Sequence, residues 1–287
     1  MSYLFSWKYT KFLFWILSSI LAATMFSCAG STSTAPNEMS TSYHFYGGPT
    51  GGTFKVFAKG ISDLAKNRGI KVTPKASAGS YENVRRINSN SRSMALAYAI
   101  HIYQARNGLL KNDKKKYENI MVLGYFYGAP AQLVVKKDSG IKSAYQLDGR
   151  KVGIGNRGSG AAAQAEIFFK GIGNWDKIKK KYSGYNDAAM AFSNNQIDAF
   201  WLFSAFPSGA VIMVSQTNDI ELINTYIDAE KVGFFKKNPF YEKTIIPMGT
   251  YKGVETDTIT FQDSALWVAN KNVPDDIVYQ LLEEVYS

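Results

Sequence analysis

Residues 45–54, Phe-Tyr-Gly-Gly-Pro-Thr-Gly-Gly-Thr-Phe, decide the fold class of this chain. A short strand pattern at 43–46 leads into this stretch. A helix pattern at 54–66 follows it, with Phe57, Ile61 and Leu64 on one face. A glycine-rich turn that joins a strand to a helix is typical of proteins in which strands and helices alternate.

The same alternation continues outward from this turn. Predicted strands lie at 70–76, 94–98, 133–135, 151–154, 198–202, 258–261 and 266–268, and predicted helices at 80–87, 161–170, 188–192 and from 274 onward. This order favours an α/β protein with a mainly parallel sheet flanked by helices. Because the pattern occurs in two blocks with a late return to the first, we expect two lobes joined by extended crossover strands.

A second glycine-rich turn, Gly-Asn-Arg-Gly-Ser-Gly at 155–160, also stands between a strand and a helix. The first N–H groups of a helix lack intrahelical partners and carry partial positive charge, so such turns can bind carboxylate or phosphate. Hydroxyls of Thr50, Thr53 and Ser159 add donors. The spacing matches neither the dinucleotide fingerprint nor a P-loop. Each turn alone could be purely structural, but two of them suit an anion held between closing lobes.

Enzyme chemistry finds little support in the sequence. His44 and His101 are the only histidines and form no metal-ligand spacing, so we expect both to be structural or at the surface. No Gly-x-Ser-x-Gly elbow is present, and Asp198 is expected at a turn or hinge. We predict a protein that is not an enzyme, with no catalytic residue, no metal and no cofactor.

The N-terminus is typical of a secreted protein. Lys8 and Lys11 precede an uncharged run at 12–26, which is short for a membrane span of ~20 residues. We predict a signal peptide at 1–27, with a membrane-anchor helix as the alternative. Cys28, the single cysteine, resembles the acylation site of bacterial lipoproteins, although Phe26 departs from that pattern. Ordinary cleavage nearby, with Cys28 lost or free, is the alternative. Residues 28–41 are expected to be a flexible tether.

The chain is basic, with 33 Lys and Arg against 23 Asp and Glu and a net charge of +10. The predicted secretory signal and the absence of nucleic-acid-binding motifs argue against a nucleic-acid partner. The lysine clusters at 114–116 and 179–181 are expected to be solvated surface, or else a weak field that attracts anions or anionic lipid.

Six segments, in order, resemble the TAXI-type solute receptors of TRAP transporters. They are 45–54, the Gly-Ser-Tyr-Glu-Asn run at 79–83, 138–152 with the Gly-Ser-Gly loop behind it, Asn-Gln-Ile-Asp-Ala at 195–199, Ile-Pro-Met-Gly-Thr-Tyr-Lys-Gly at 246–253, and 273–279. The resemblance covers the chain from residue 43 to its end, and the 246–253 segment is specific.

This resemblance implies a type II periplasmic-binding-protein-like fold, with a mixed sheet and flanking helices in each lobe. Lobe I would comprise 42–131 and 258–287, and lobe II 132–257. The ligand would be a small anionic or zwitterionic carboxylate or amino acid, such as glutamate, glutamine or 2-oxoglutarate. A monomer in the periplasm or at the cell surface, anchored by a lipid on Cys28, would deliver it to fused small and large TRAP membrane subunits.

Motif positions imply the ligand contacts, with Phe54, Tyr98 and Trp201 as the walls of the cleft. The implied contacts are Thr50, Gly51, Gly52, Thr53, Phe54, Ser80, Asn83, Tyr98, Arg157, Ser159, Gly160, Ala161, Trp201 and Pro207. Thr53 and Ser159 would donate to carboxylate.

Several positions depart from the family pattern. Pro49 enters the first loop, Phe54 replaces a common Tyr, and Ala161 replaces a common Thr. Arg157 stands where Pro or Ala is usual, which would favour a more anionic ligand. Family members continue beyond the helix in which this chain ends, so a truncated form is expected. A ligand-sensing or adhesive surface lipoprotein without a transporter is the alternative function.

Overall fold

The computed structural model describes residues 42–111 and 113–287. The predicted signal peptide, Cys28 and the tether at 28–41 lie outside the described residues.

Ten strands and nine α-helices alternate along the described part of the chain. The strands are β1 Tyr43–Tyr46, β2 Val72–Lys75, β3 Ser93–Tyr98, β4 Ile120–Lys136, β5 Lys151–Gly153, β6 Lys179–Lys181, β7 Ala199–Phe203, β8 Ile220–Leu222, β9 Glu242–Ile246 and β10 Thr258–Asn270. The helices are α1 Thr53–Ala65, α2 Ser80–Ser89, α3 Ala99–Asn107, α4 Gly160–Gly171, α5 Tyr185–Ser193, α6 Gly209–Thr217, α7 Thr225–Glu230, α8 Phe234–Lys237 and α9 Asp275–Tyr286.

The strands form one mixed sheet in the order β2-β1-β3-β10-β4-β7-β5-β6, with β8 paired to β4 and β9 to β10. Strands at both ends of this order are parallel: β1 with β2 and β3, and β5 with β6 and β7. The central strands β4 and β10 are antiparallel to all their neighbours. The α/β class and the mixed sheet that the resemblance implied are therefore confirmed. The expectation of a mainly parallel sheet is wrong, because two long antiparallel strands run through its centre.

These two long strands change partners along their length. β4 pairs with β10 through residues 120–130 and with β7 through 131–135. β10 pairs with β9 through residues 258–262 and with β3 through 265–269. Each strand thus passes from one half of the sheet to the other without an intervening loop.

Large aromatic side chains fill the core in both halves of the sheet that β4 and β10 connect. Trp267 of β10 stacks on Phe126, with ring centroids 5.6 Å apart. Trp201 of β7 stacks on Phe168 of α4 at 5.2 Å. Each such side chain removes about 150–250 Å² from water, so these contacts anchor the sheet and its helices.

Over residues 42–111 and 113–287, the helices are all too short or too polar to cross a membrane.

Candidate functional site

Three helices begin at one cavity. The first residues of α1, α2 and α4 lie on its wall, and the space between the atoms there, including the opening to solvent, is about 280 Å³. The lining residues are Pro49, Gly52, Thr53, Phe54, Ala78, Gly79, Ser80, Tyr98, Gly160, Ala161, Tyr185, Phe203 and Ser204. The sequence predicted two helix starts here, at the glycine-rich turns. The start of α2 is the third.

The lining contains no charged side chain among the described residues. Gly52 and Gly79 precede α1 and α2 and provide no side-chain cap. Each helix N-terminus carries roughly half a positive charge, because its first N–H groups have no partner within the helix. The cavity is therefore positive because of backbone groups, a property that suits a carboxylate or another small anion.

Hydroxyl groups connect opposite walls of the cavity. Thr53 Oγ1 lies 2.9 Å from Ser204 Oγ, and the Thr53 N–H donates to the same oxygen at 3.3 Å. The backbone carbonyl of Ser204 accepts a hydrogen bond from Gln132 Nε2 at 2.9 Å, and this bond holds Ser204 in place. Tyr251, from the family-like segment 246–253, donates to Gln132 Oε1 at 2.5 Å. The tyrosine of that motif thus supports the cavity from behind without lining it.

Aromatic rings form the apolar part of the wall. Phe54 and Tyr98 have ring centroids 4.9 Å apart. The hydroxyls of Tyr98 and Tyr185 both donate to the Phe203 carbonyl, at 2.5 and 3.0 Å. Burial raises the pKa of both phenols, so both stay neutral. Neither hydroxyl hydrogen is directed at the cavity.

A buried pair stands behind the start of α2. Ser80 Oγ accepts from the Tyr98 N–H at 2.8 Å and lies 2.8 Å from His101 Nδ1. His101 is fully buried, and burial, with a smaller effect of Arg85, lowers its pKa from 6.5 to about 3. The imidazole is therefore neutral. His101 was expected to be either structural or at the surface, and its position in the interior confirms the first expectation and contradicts the second.

Half of the predicted contacts line the cavity. They are Gly52, Thr53, Phe54, Ser80, Tyr98, Gly160 and Ala161. Ser159 lies just outside it, where its hydroxyl accepts from the Ala162 N–H at 3.0 Å and caps α4. Its hydroxyl therefore supports the helix start.

Two predicted contacts lie elsewhere in the interior. The predicted position of Trp201 on the cleft wall is wrong, because its ring is fully buried against Phe168 in the core. Asn83 is also fully buried. Its side-chain amide donates to the carbonyls of Gly47 at 2.7 Å and Leu96 at 2.8 Å, so it joins α2 to β3 and to the residue that follows β1.

The remaining predicted contacts lie on the outer surface or behind the loops. Thr50 is exposed and accepts from Lys55 Nζ at 2.9 Å. Arg157 is exposed and its guanidinium lies over the Tyr182 ring at 4.0 Å. Pro207 is also exposed.

Gly51 shapes the first loop from outside the cavity. Its φ is 88°, a conformation that favours glycine, and its carbonyl accepts from Ser208 Oγ at 3.1 Å.

Comparison with known protein families shows which family this chain belongs to. A model of the NMT1-like family matches residues 45–287. The chain belongs to the NMT1-like family.

Solved structures share the fold of this NMT1-like protein. MatC from Rhodopseudomonas palustris, with bound malate, aligns with a TM-score of 0.55 and 14% identity, over 85% of this chain and 83% of that one. A second R. palustris protein, with adipate, gives 0.54 and 14% over 86% and 83%. A periplasmic transporter gives 0.53 and 11% over 87% and 83%. The fold is therefore that of periplasmic binding proteins.

Sequence reasoning missed six residues that line the cavity of this NMT1-like protein: Pro49, Ala78, Gly79, Tyr185, Phe203 and Ser204. The first three adjoin predicted contacts or lie one residue further along the same loop, and the others do not. A signal was available for the last two, since they follow directly after the predicted strand at 198–202. The carboxyl ends of parallel strands are where ligands bind in open α/β sheets. Tyr185 had no comparable local signal. Across the described residues, no group of three or more His, Cys, Asp or Glu side chains could hold a metal ion.

Proposed function

We propose that this protein is an extracytoplasmic solute-binding protein that captures a small carboxylate or amino acid and delivers it to TRAP-type membrane subunits. The observation that carries the proposal is the convergence of the α1, α2 and α4 N-termini on one cavity whose lining is uncharged. Binding and release, without chemical change of the ligand, is the function that this arrangement serves.

A carboxylate suits the cavity better than a cation or a neutral sugar does. Three helix N-termini present positive partial charge that attracts a carboxylate, whereas a ligand that carries only positive charge would be repelled. The lining hydroxyls of Thr53, Ser80 and Ser204 can hydrogen-bond to carboxylate oxygens. Phe54 and Tyr98 offer apolar contact for a short carbon chain.

The ligands of the fold neighbours agree with this class. Malate in MatC and adipate in the second R. palustris protein are both dicarboxylates. Glutamate, glutamine and 2-oxoglutarate, which the TAXI resemblance implies, share the same carboxylate chemistry. We include all of these in one candidate class.

We also propose the two-lobed arrangement, with lobe I at 42–131 and 258–287 and lobe II at 132–257. The changes of partner along β4 and β10 support it, because each strand leaves one half of the sheet and enters the other. On this division Thr53 and Ser80 belong to lobe I, and Ser204 and Gly160 to lobe II. Ligand between them would hold the lobes closed.

Delivery to fused TRAP subunits, a monomeric state and a lipid anchor at Cys28 complete the proposal. They rest on the TAXI-like segments and on the secretory pattern of residues 1–28.

The test is ligand-dependent thermal stability of the purified protein. We expect malate, adipate, glutamate, glutamine or 2-oxoglutarate to raise the melting temperature, since a ligand at 100 times its Kd stabilises by about 2.7 kcal/mol. Glucose and inorganic phosphate are the comparison ligands. Thr53→Ala should weaken binding, and Thr50→Ala, which removes an exposed hydroxyl outside the cavity, should leave it unchanged.

A folded protein that responds to glucose or phosphate and to none of the carboxylates would contradict the ligand class. A protein that responds to no ligand would favour the sensing or adhesive alternative.

A further inference from the structure

His101 is buried and does not line the cavity. Its side chain is fully buried, and its Nδ1 atom lies 2.8 Å from Ser80 Oγ. Its Nε2 atom is also buried and has no hydrogen-bond partner within the described residues. Ser80, in contrast, lines the cavity. The pair therefore connects an interior imidazole to the surface that a ligand would touch.

The hydroxyl of Ser80 has three hydrogen-bonding functions, one donor and two acceptors. The Tyr98 N–H, at 2.8 Å, uses one acceptor position. The imidazole uses a second function, and which one depends on its tautomer. If Nδ1 carries the hydrogen, it donates to Ser80 and leaves the hydroxyl hydrogen free. If Nε2 carries it, Ser80 must donate to Nδ1 and has no donor left.

The lone Nε2 atom decides between these two states. Because His101 is neutral, a single hydrogen is shared between its two nitrogens. Placing it on Nε2 would bury an N–H donor without an acceptor, and orphaned buried N–H groups are rare because they lose a hydrogen bond to water. Placing it on Nδ1 leaves no imidazole N–H without an acceptor, and the hydrogen that remains free is that of the Ser80 hydroxyl, which lies at the cavity wall. The Nδ1–H tautomer is favoured.

We propose that His101 is a positioning residue that fixes the polarity of the binding cavity. Its Nδ1–H donates to Ser80, so the Ser80 hydroxyl hydrogen points into the cavity as a donor and selects a ligand that presents an acceptor oxygen there. A ligand group that can only donate, such as an ammonium N–H, would meet a donor facing a donor at that place. This proposal deepens the proposed function and rests on it for the identity of the site.

The start of α4 closes over the same pair. A Cβ atom placed on Gly160 would lie 2.9 Å from Ser80 Cβ and 3.0 Å from His101 Cε1. The α4 backbone therefore packs directly on both side chains, which shields their hydrogen bond from water. Shielding keeps Ser80 in the one orientation that His101 imposes.

The first test needs no ligand. The chain contains two histidines, so a long-range ¹H–¹⁵N spectrum of the ¹⁵N-labelled protein shows two imidazoles, and the H101N spectrum assigns them. We expect the His101 signals of the Nδ1–H tautomer, with a protonated Nδ1 and a pyridine-like Nε2. Signals of the Nε2–H tautomer would overturn the proposal.

The second test measures affinity for malate, adipate, glutamate and 2-oxoglutarate by calorimetry. His101→Leu removes the donor and should weaken the carboxylate that binds the wild type by about tenfold or more. His101→Asn retains an N–H near the Nδ1 position and should restore most of the affinity. Ser80→Ala should cost as much as His101→Leu, and the double variant should cost no more than either single one, because both act through one hydroxyl.

Thermal unfolding of each ligand-free variant is measured beside these titrations. Equal affinity losses in His101→Leu and His101→Asn, or additive losses in the double variant, would overturn the positioning role. If no carboxylate binds the wild type, the proposed function fails, while the tautomer measurement still reports separately on His101.

Discussion

The side-chain oxygens of Thr53 and Ser204 lie 2.9 Å apart, although the two residues are 151 positions apart in the chain. The contact joins the first turn of α1 to the residue that follows β7. Both hydroxyls line the cavity, so a bound carboxylate would take over donors that now bond to each other. Ligand binding would thus replace this hydrogen bond instead of adding to it.

This relationship predicts a coupled loss of stability without ligand. Thr53→Ala and Ser204→Ala should each lower the free energy of unfolding by about 1 kcal/mol, the usual contribution of one hydrogen bond. The double variant should lose little more than Ser204→Ala alone, because both substitutions remove the same hydroxyl–hydroxyl bond and Ser204→Ala also removes the acceptor of the Thr53 N–H. Urea denaturation checks this. Thr50→Ala is the matched control, since that hydroxyl only accepts from exposed Lys55, and strictly additive losses would contradict the prediction.

The buried carboxyl group of Asp263 should lower the free energy of unfolding as pH rises toward neutral. It is almost fully buried in β10 and accepts from the Ser264 N–H at 2.7 Å and the Ile100 N–H at 3.3 Å. Burial raises its pKa from 3.8 to about 7 against the lowering effect of these bonds. The folded state therefore holds a proton that the unfolded state has lost between these values. This stability is fully present below pH 3.8 and is lost as pH rises to 7, by at most about 1.4 kcal/mol per pH unit.

Asp263→Asn should remove that slope. The measurement is the difference in unfolding free energy between variant and wild type at intervals from pH 3.5 to 8, by chemical denaturation. We expect the difference to change in favour of the variant as pH rises from 4 to 7 and to stay constant above. A difference independent of pH would contradict the raised pKa of Asp263.

The buried imidazole of His101 should change the free energy of unfolding in the opposite direction over almost the same pH range. Burial lowers its pKa from 6.5 to about 3. Between these values the imidazole is protonated in the unfolded state and neutral in the folded state. Its contribution is present above pH 6.5 and is lost as pH falls toward 3. Between about pH 4 and 6.5 the slopes of His101 and Asp263 oppose each other. His101→Asn should therefore make stability fall with rising pH, and Asp263→Asn should make it rise.

Gly160→Ala should weaken ligand binding while the protein still folds. The added methyl group would come within 2.9 Å of Ser80 Cβ and 3.0 Å of His101 Cε1, so α4 must move away from α2. We expect carboxylate affinity to fall about tenfold, measured by calorimetry. Gly60→Ala in α1 is the control, because a Cβ there meets nothing within 4 Å. That change should stabilise the protein by about 1 kcal/mol without altering affinity.

Local patterns predicted the elements whose signals are contained in a few residues. The helix predicted at 54–66 is α1 at Thr53–Ala65, and the helix predicted at 80–87 is α2 at Ser80–Ser89. Two glycine-rich turns correctly marked helix starts at the cavity. These predictions succeeded because apolar periodicity and glycine-rich turns act between neighbours in the sequence.

Several elements were not predicted, and α3 and the greater part of β4 show why. α3 has buried side chains at Ile100, His101, Ile102 and Ala105, so apolar and polar residues do not divide between two faces. β4 runs for 17 residues through two glycines and a proline, which interrupt a strand pattern. Only residues 133–135 of β4 were predicted as a strand, and residues 120–130, which pair antiparallel with β10, were not, so that pairing could not be predicted either.

The sequence by itself determined that strands and helices alternate, where α1, α2 and α4 begin, and that an anion could bind at such starts. Only the tertiary structure decided that all three starts meet at one cavity, that Ser204 faces Thr53, and that Trp201 belongs to the core. It also paired Ser80 with His101. Helix starts and side-chain types are set by residues close together in the chain, whereas a cavity is made by residues that packing brings together from far apart.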